Sequence, residues 1–160
     1  TGGKLHLAVV DGDIPVTALY SSASVHDSSL ALPLIKQSSQ KVKYLYDLAD
    51  AAYDYRIIKE YSMLHNHRPI IDINPKNSKK LKAQIALEKN EKKILGSLDI
   101  NKDSDDLHYN QRSSVEGVNA YLKDSYGCSK IYYKGAQKVA SVFAFAVLSV
   151  CITQSLKLVT

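Results

Sequence analysis

A glycine-centred turn near the start of the chain separates two strand-like segments. Residues 4–10 and 15–20 are rich in apolar and β-branched residues, and Asp11-Gly12-Asp13 lies between them. Glycine reaches the positive φ angles that a tight hairpin turn needs, and β-branched residues favour strands. The pattern predicts an antiparallel hairpin in which Asp11 and Asp13 form the turn and have no catalytic role.

Strand and helix patterns alternate along the next part of the chain. Residues 44–48 have the pattern of a buried strand that ends at Ala49 and Asp50, residues 53–65 are predicted to be helical, and residues 69–73 form another β segment. This alternation predicts an α/β fold. Loops at the carboxyl ends of central strands form crevices, so Asp50 is well placed for a functional site.

Composition limits the class of protein. The 160 residues suffice for one domain, and 45% hydrophobic with 23% charged residues is ordinary for a soluble globular protein. The net charge of +5 permits an acidic partner such as nucleic acid without requiring one. Cys128 and Cys151 form no metal-binding or redox motif, and no signal peptide is visible, so we expect packing roles for both in a reducing cytoplasm.

Two later segments leave alternatives open. Residues 76–108 are Lys-rich and then acidic, with one helix predicted at residues 81–94, and form either a solvated helix with a linker or a phosphate-contacting patch. Residues 138–156 are the most hydrophobic stretch. Their apolar run is shorter than the about 20 residues of a membrane span. We therefore predict a buried core helix there, with a membrane helix as the alternative.

The segment YNQRSSVEGVNAYLK, residues 109–123, is predicted to be a helix with two different faces. At about 100° per residue, five polar residues fall within an arc of about 80°: Tyr109, Arg112, Glu116, Asn119 and Lys123. An apolar stripe suited to burial lies about 100° around the helix: Val115, Val118 and Leu122. The polar face is either a solvated surface with a weak Arg112–Glu116 pair or a functional one.

The spacing on this polar face resembles a known signature. Tyr, two residues, Arg, three residues, Glu, six residues and Lys is the pattern by which one group of DDE transposases of bacterial and archaeal insertion sequences is recognised. GGKLHLAVVDGDIPV is similar to the Gly-Lys-x-His strand and Gly-x-Pro hairpin of that family, SASVHDS to its His-Asp-Ser segment, and LADAAYD to its second-aspartate motif. The resemblance runs in the family's order from about residue 2 to residue 155.

The resemblance implies a fold and a reaction. The fold would be a ribonuclease H-like mixed sheet flanked by helices, in a single, N-terminally incomplete transposase domain over residues 1–160, with residues 76–108 as an insertion or linker. The function would be DNA transposition, by metal-dependent strand cleavage and strand transfer at transposon ends. The expected partners are double-stranded DNA and a second copy on paired ends, with no membrane, in the cytoplasm at the nucleoid.

The resemblance also implies the site residues. Asp50 and Glu116 match catalytic carboxylates that bind Mg²⁺ or Mn²⁺, and Tyr109, Arg112 and Lys123 match residues that hold the DNA. Because the first catalytic aspartate belongs on a strand upstream of Thr1, we expect this chain alone to have very weak or no activity. A non-catalytic DNA-binding remnant of a transposase gene is the alternative, and a ribonuclease H-like nuclease without strand transfer is a third.

Three smaller expectations follow from single residues. Ala52 stands where the family usually has glycine, a mild change unless that position needs a positive φ. We expect His65 and His67 to be surface residues without a metal. Asp27 or a neighbouring serine is expected to cap a short helix.

Overall fold

The structure, a computed structural model, describes residues 2–76, 78–97, 108 and 111–159. The strands are β1 (Gly3–Val10), β2 (Ile14–Ser22), β3 (Tyr46–Ala49) and β4 (Arg68–Ile71). The α-helices are α1 (Ala31–Lys41), α2 (Arg56–Leu64), α3 (Lys79–Ser97), α4 (Ser113–Ser125) and α5 (Ala136–Val159). Two short 3₁₀ helices, Asp27–Leu30 and Ala51–Tyr53, precede α1 and α2. The predicted α/β class is confirmed.

The predicted hairpin forms. β1 pairs antiparallel with β2, with an irregularity in the register between Ala8 and Val9. Gly12 and Asp13 in the turn have φ angles of 80° and 57°, the left-handed region that glycine and aspartate tolerate better than other residues. Asp11 and Asp13 lie in this turn, as the sequence predicts.

The remaining strands form a separate sheet. β3 pairs parallel with β4, with Tyr46 opposite Arg68 and Ala49 opposite Ile71, and α2 makes the connection between them. Among the described residues the strands thus form two two-stranded sheets, where a single mixed sheet was expected. The ribonuclease H-like sheet therefore stays a prediction.

Two hydrophobic clusters hold the elements together. The first joins α4 to α5 and β1 through four buried residues: Val118, Leu122, Ala146 and Val150. The second joins α1 to α2 and β4 through Ala31, Ile35 and Ile58. The β1–β2 hairpin contacts α1, α4 and α5. It thereby connects the two clusters.

Helix α5 is only partly the buried helix that the sequence predicts. Ala146 and Val150 are buried, whereas Phe145 on the other side is 71% exposed. Length and composition alone would allow α5 to cross a membrane, with a mean hydropathy of 2.0 over its best 18-residue window, of which 11% is buried. The core helix of a soluble protein passes the same test.

Candidate active site

Asp50 occupies the position that the sequence predicts for it. It follows the last residue of β3 and caps the 3₁₀ helix Ala51–Tyr53, where its Oδ1 accepts the backbone N–H of Ala52 at 2.9 Å. The side chain is thereby fixed at the carboxyl end of a parallel strand, where loops of α/β sheets form binding crevices. The position agrees with a site residue, and the catalytic role itself stays a prediction.

Ala52 is compatible with its backbone conformation. Within the described ranges, the non-glycine residues with positive φ are Asp13, Asn66 and Lys76. Ala52 lies in a short 3₁₀ helix instead, a conformation that any L-residue adopts without strain. The difference from the family's glycine therefore costs little here.

Asp27 is a residue near this site that sequence reasoning missed. It does not cap a helix as predicted: the preceding cap position is His26, which makes no side-chain cap bond. Asp27 Oδ1 instead accepts a hydrogen bond from Lys4 Nζ at 2.9 Å. This bond, from a cation, lowers the pKa of Asp27. The His-Asp-Ser segment was the available sequence signal.

Asp27 and Asp50 are neighbours through the two 3₁₀ helices that contain or follow them. These helices pack against each other. Tyr53 lies at the end of the second one, and its pKa is affected by the charges of both aspartates. Burial raises the pKa of the Tyr53 phenol, and the negative charges of Asp27 and Asp50 raise it further. The carboxylates therefore share one local environment.

Helix α4 has the two faces that its sequence predicts. Val118 and Leu122 are 1% and 2% exposed, whereas the Glu116 side chain is 71% exposed and Lys123 is exposed as well. Arg112 Nη1 lies 3.5 Å from Glu116 Oε1, one turn away. Such an exposed pair contributes about 0.3–0.5 kcal/mol. Packing of the apolar face thus leaves Glu116 and Lys123 exposed, whereas Arg112 and Asn119 are half-buried.

Arg112 is the predicted site residue that contacts Glu116, and the described part of the chain shows no contact between Asp50 and Glu116. Tyr109 lies outside the described residues. The ring of His108 stacks on Tyr46 of β3 with centroids 4.3 Å apart, which places His108 against the strand that leads to Asp50. In the part of the chain that the structure describes, no three His, Cys, Asp or Glu side chains form a metal-binding group. Asp50 and Glu116 are therefore not joined there by a third ligand.

The prediction for His67 is wrong. This residue is 7% exposed, and its Nδ1 lies 3.1 Å from Asp47 Oδ2. Ser62, which is fully buried, donates to the same oxygen at 2.6 Å. Since β4 begins directly after His67 and Asp47 lies in β3, the contact ties the paired strands together. This small polar network is structural.

The fold and the candidate site together indicate a general class of protein. The chain is an α/β domain with a carboxylate at a strand end and a helix that presents carboxylate and cationic groups to solvent, which are the groups that handle phosphodiesters. A family model described as the transposase DDE domain matches residues 1–152. The chain belongs to this family. Searches of the curated proteins and of the solved structures gave no significant match.

Membership confirms the resemblance at the level of the family. Transposase DDE domains act in transposition, their partner is DNA, and they generally use divalent metal ions. The smaller group defined by the Tyr-Arg-Glu-Lys signature stays a prediction.

Proposed function

We propose that this domain cleaves DNA strands at transposon ends and transfers them to a target, in a protein that acts as a dimer on paired ends. The orientation of α4 is the observation that carries the proposal. Burial of Val118 and Leu122 fixes the helix so that Glu116 and Lys123 point away from the core. A DNA strand lying along this face would meet a carboxylate and cations together.

Each polar residue of the site has a proposed role. Arg112 and Lys123 would contact phosphate oxygens, since cationic donors form strong hydrogen bonds to phosphate. Tyr109 would stack on a base or donate a hydrogen bond to a phosphate. Asp50 and Glu116 are proposed ligands of a divalent metal, and their separate elements let them approach a bound ion from two sides.

The chemistry of these donors fits Mg²⁺ or Mn²⁺, because both ions prefer carboxylate oxygen. When bound, the metal would polarise the scissile phosphate and activate the attacking water or 3′-hydroxyl. Asp50 and Glu116 are the two carboxylates of this proposal, and no metal-binding group of three ligands forms among the described residues. Asp50 is oriented by its bond to the Ala52 N–H, and Glu116 has a weak contact with Arg112.

The two sheets fit a ribonuclease H-like arrangement as part of the same proposal. β1 pairs only with β2, and β3 pairs only with β4, among the strands that the structure describes. Each sheet therefore keeps two edges whose backbone groups could pair with a further strand. A strand that pairs with one edge of each sheet would join them into one mixed sheet.

The test uses the complete reading frame that contains this chain, incubated with Mn²⁺ or Mg²⁺ and with DNA from both flanks of its gene. We expect nicking at the element ends, and we expect Glu116→Gln and Asp50→Asn each to lower its rate at least about 1000-fold, equivalent to about 4 kcal/mol of transition-state stabilisation. Asp124→Asn is the matched control, since Asp124 is an exposed carboxylate on the same helix. Its rate should stay within a few-fold of the unmodified protein.

A second candidate, a DNA-binding remnant without catalysis, is favoured by the lack of a three-ligand metal group among the described side chains. The same experiment separates the two. DNA binding without metal-dependent nicking by the complete frame would support the remnant. Equal nicking by the Glu116→Gln variant would contradict the proposed role of the carboxylate.

A further inference from the structure

Most lysines of helix α3 lie on one side of the helix, and its two glutamates lie on the other. Four of its six lysines lie within an arc of about 80° at 100° per residue: Lys79, Lys82, Lys89 and Lys93. We call these four residues the lysine face. The two glutamates of the helix, Glu88 and Glu91, lie about 120° or more from the middle of that arc, on the opposite side. The helix therefore presents a cationic stripe that its own acidic residues do not neutralise.

The lysine face points to solvent. All four of its side chains are exposed, and among the described residues Lys89 has an ion-pair partner, Asp72, whose Oδ2 lies 3.8 Å from Lys89 Nζ. The side of α3 that contains Leu81 and Ile85 is half-buried and lies about 100° from the lysine face. The cationic stripe is therefore open to solvent along its length, and Lys89 connects it to the protein body through Asp72.

The lysine face has the dimensions of a phosphate-contacting surface. From Lys79 to Lys93 the helix rises about 21 Å at 1.5 Å per residue, which equals the axial length of about six base pairs of duplex DNA. Between Lys79 and Lys93 the arc contains no large apolar side chain; Ala86 is the other residue within it. A row of ammonium groups can contact several phosphates of one duplex and carries no means to read bases.

We propose that the lysine face of α3 is a second DNA-docking surface, which holds the backbone of a duplex independently of sequence and separately from α4. The proposal deepens the proposed function, because it rests on DNA being the partner. Of the two interpretations of residues 76–108, a solvated helix with a linker or a phosphate-contacting patch, the proposal takes the second. The chemistry favours duplex DNA over an anionic membrane, since none of the large apolar residues of α3 lies on the lysine face to enter a lipid surface.

The test compares the 160-residue chain with two variants of equal charge. One variant replaces the lysine face, K79Q/K82Q/K89Q/K93Q; the control replaces four exposed lysines elsewhere, K36Q/K43Q/K130Q/K134Q. Affinity for a fluorescent duplex of unrelated sequence is measured between 50 and 300 mM salt, and circular dichroism checks that both variants keep their helix content. Gln preserves helix propensity, so α3 should still form.

We expect the slope of log affinity against log salt to become less steep by about 2 to 4 in the lysine-face variant, since each phosphate contact contributes about 0.9. The affinity at 0.1 M salt should fall about 100-fold or more by the same relation. The control should change its slope by less than about 1. Equal slopes in the two variants would overturn the proposal, because only net charge would then matter.

Other outcomes separate this inference from the proposed function. Binding of the chain to phosphatidylserine vesicles but not to duplex DNA would overturn the docking surface. Loss of slope in the lysine-face variant would support the docking surface even if the complete frame cleaves no DNA. Cleavage by the complete frame with an unchanged slope would support the proposed function and overturn this inference alone.

Discussion

Single carboxylates fix the ends of the short elements in this domain. Asp54 is the clearest case: its Oδ1 accepts from Lys59 Nζ at 2.5 Å, and its Oδ2 accepts the backbone N–H of Asn74 at 2.8 Å. One side chain thereby joins α2 to the chain that follows β4. The bond from Lys59 is the main reason that the pKa of Asp54 is lowered, and the Asn74 N–H lowers it further.

Asp54→Asn should therefore lower the free energy of unfolding by about 1–3 kcal/mol at pH 7, the usual cost of losing hydrogen bonds to a charged group. A depressed folded pKa means that this stabilisation is present above the unfolded pKa of about 3.9 and is lost as the pH falls through the folded value. Urea titrations from pH 7 to pH 3 should show that the difference in the free energy of unfolding between variant and parent narrows only below about pH 4. A difference that stays constant over this range would show that the charge of Asp54 does not stabilise the fold.

At the scale of the element, α4 shows how packing separates a structural face from a functional one. Leu122→Ala should destabilise the protein by about 2–5 kcal/mol, because the residue is 2% exposed and its removal leaves a cavity. Glu116→Gln should change stability by less than about 0.5 kcal/mol, since its side chain is 71% exposed and its ion pair with Arg112 is a surface one. Urea denaturation of both variants measures the difference. A large loss of stability in Glu116→Gln would show that Glu116 stabilises the fold.

Elements with strong local patterns were predictable, and those whose faces depend on neighbours were not. The Asp-Gly-Asp turn predicted the hairpin because its dihedral requirements are local. Between Val142 and Ile152 of α5 every residue except Ser149 is apolar, so the sequence there has no stripe to show which side is buried. Contact with β1, β2 and α4 selects Ala146 and Val150. His67 was misplaced for a similar reason, since its burial depends on Asp47 twenty residues away.

At the scale of the whole molecule, the stability should be unevenly distributed. The hairpin contacts α1, α4 and α5, whereas α3 makes no extensive contact with another element of the described chain. Most of the stability of a helix in a protein comes from tertiary packing of one face, which α3 largely lacks. Native-state hydrogen exchange should therefore find the slowest amides in β1 and β2 and fast exchange throughout α3. Equal protection of α3 and the hairpin would contradict this arrangement.

If DNA binds to the lysine face, it should change how stability is distributed over the elements. Binding to the folded helix and not to its unfolded form stabilises the helix by mass action. The amides of α3 should then exchange more slowly with saturating duplex DNA than without it. This shift needs no knowledge of the cleaved sequence, and the K79Q/K82Q/K89Q/K93Q variant should lose it.

The sequence by itself determined the local features of this protein and its family. It predicted the hairpin, the strand that ends at Asp50, and the two faces of α4, because dihedral preference and residue spacing are properties of neighbouring residues. Only the tertiary structure decided that Asp27 pairs with Lys4 beside the turn of Asp50, that His67 is buried, and that α5 leaves one face exposed. Those outcomes depend on which distant surfaces meet, and a contact between elements far apart in the chain leaves no periodic trace in either one.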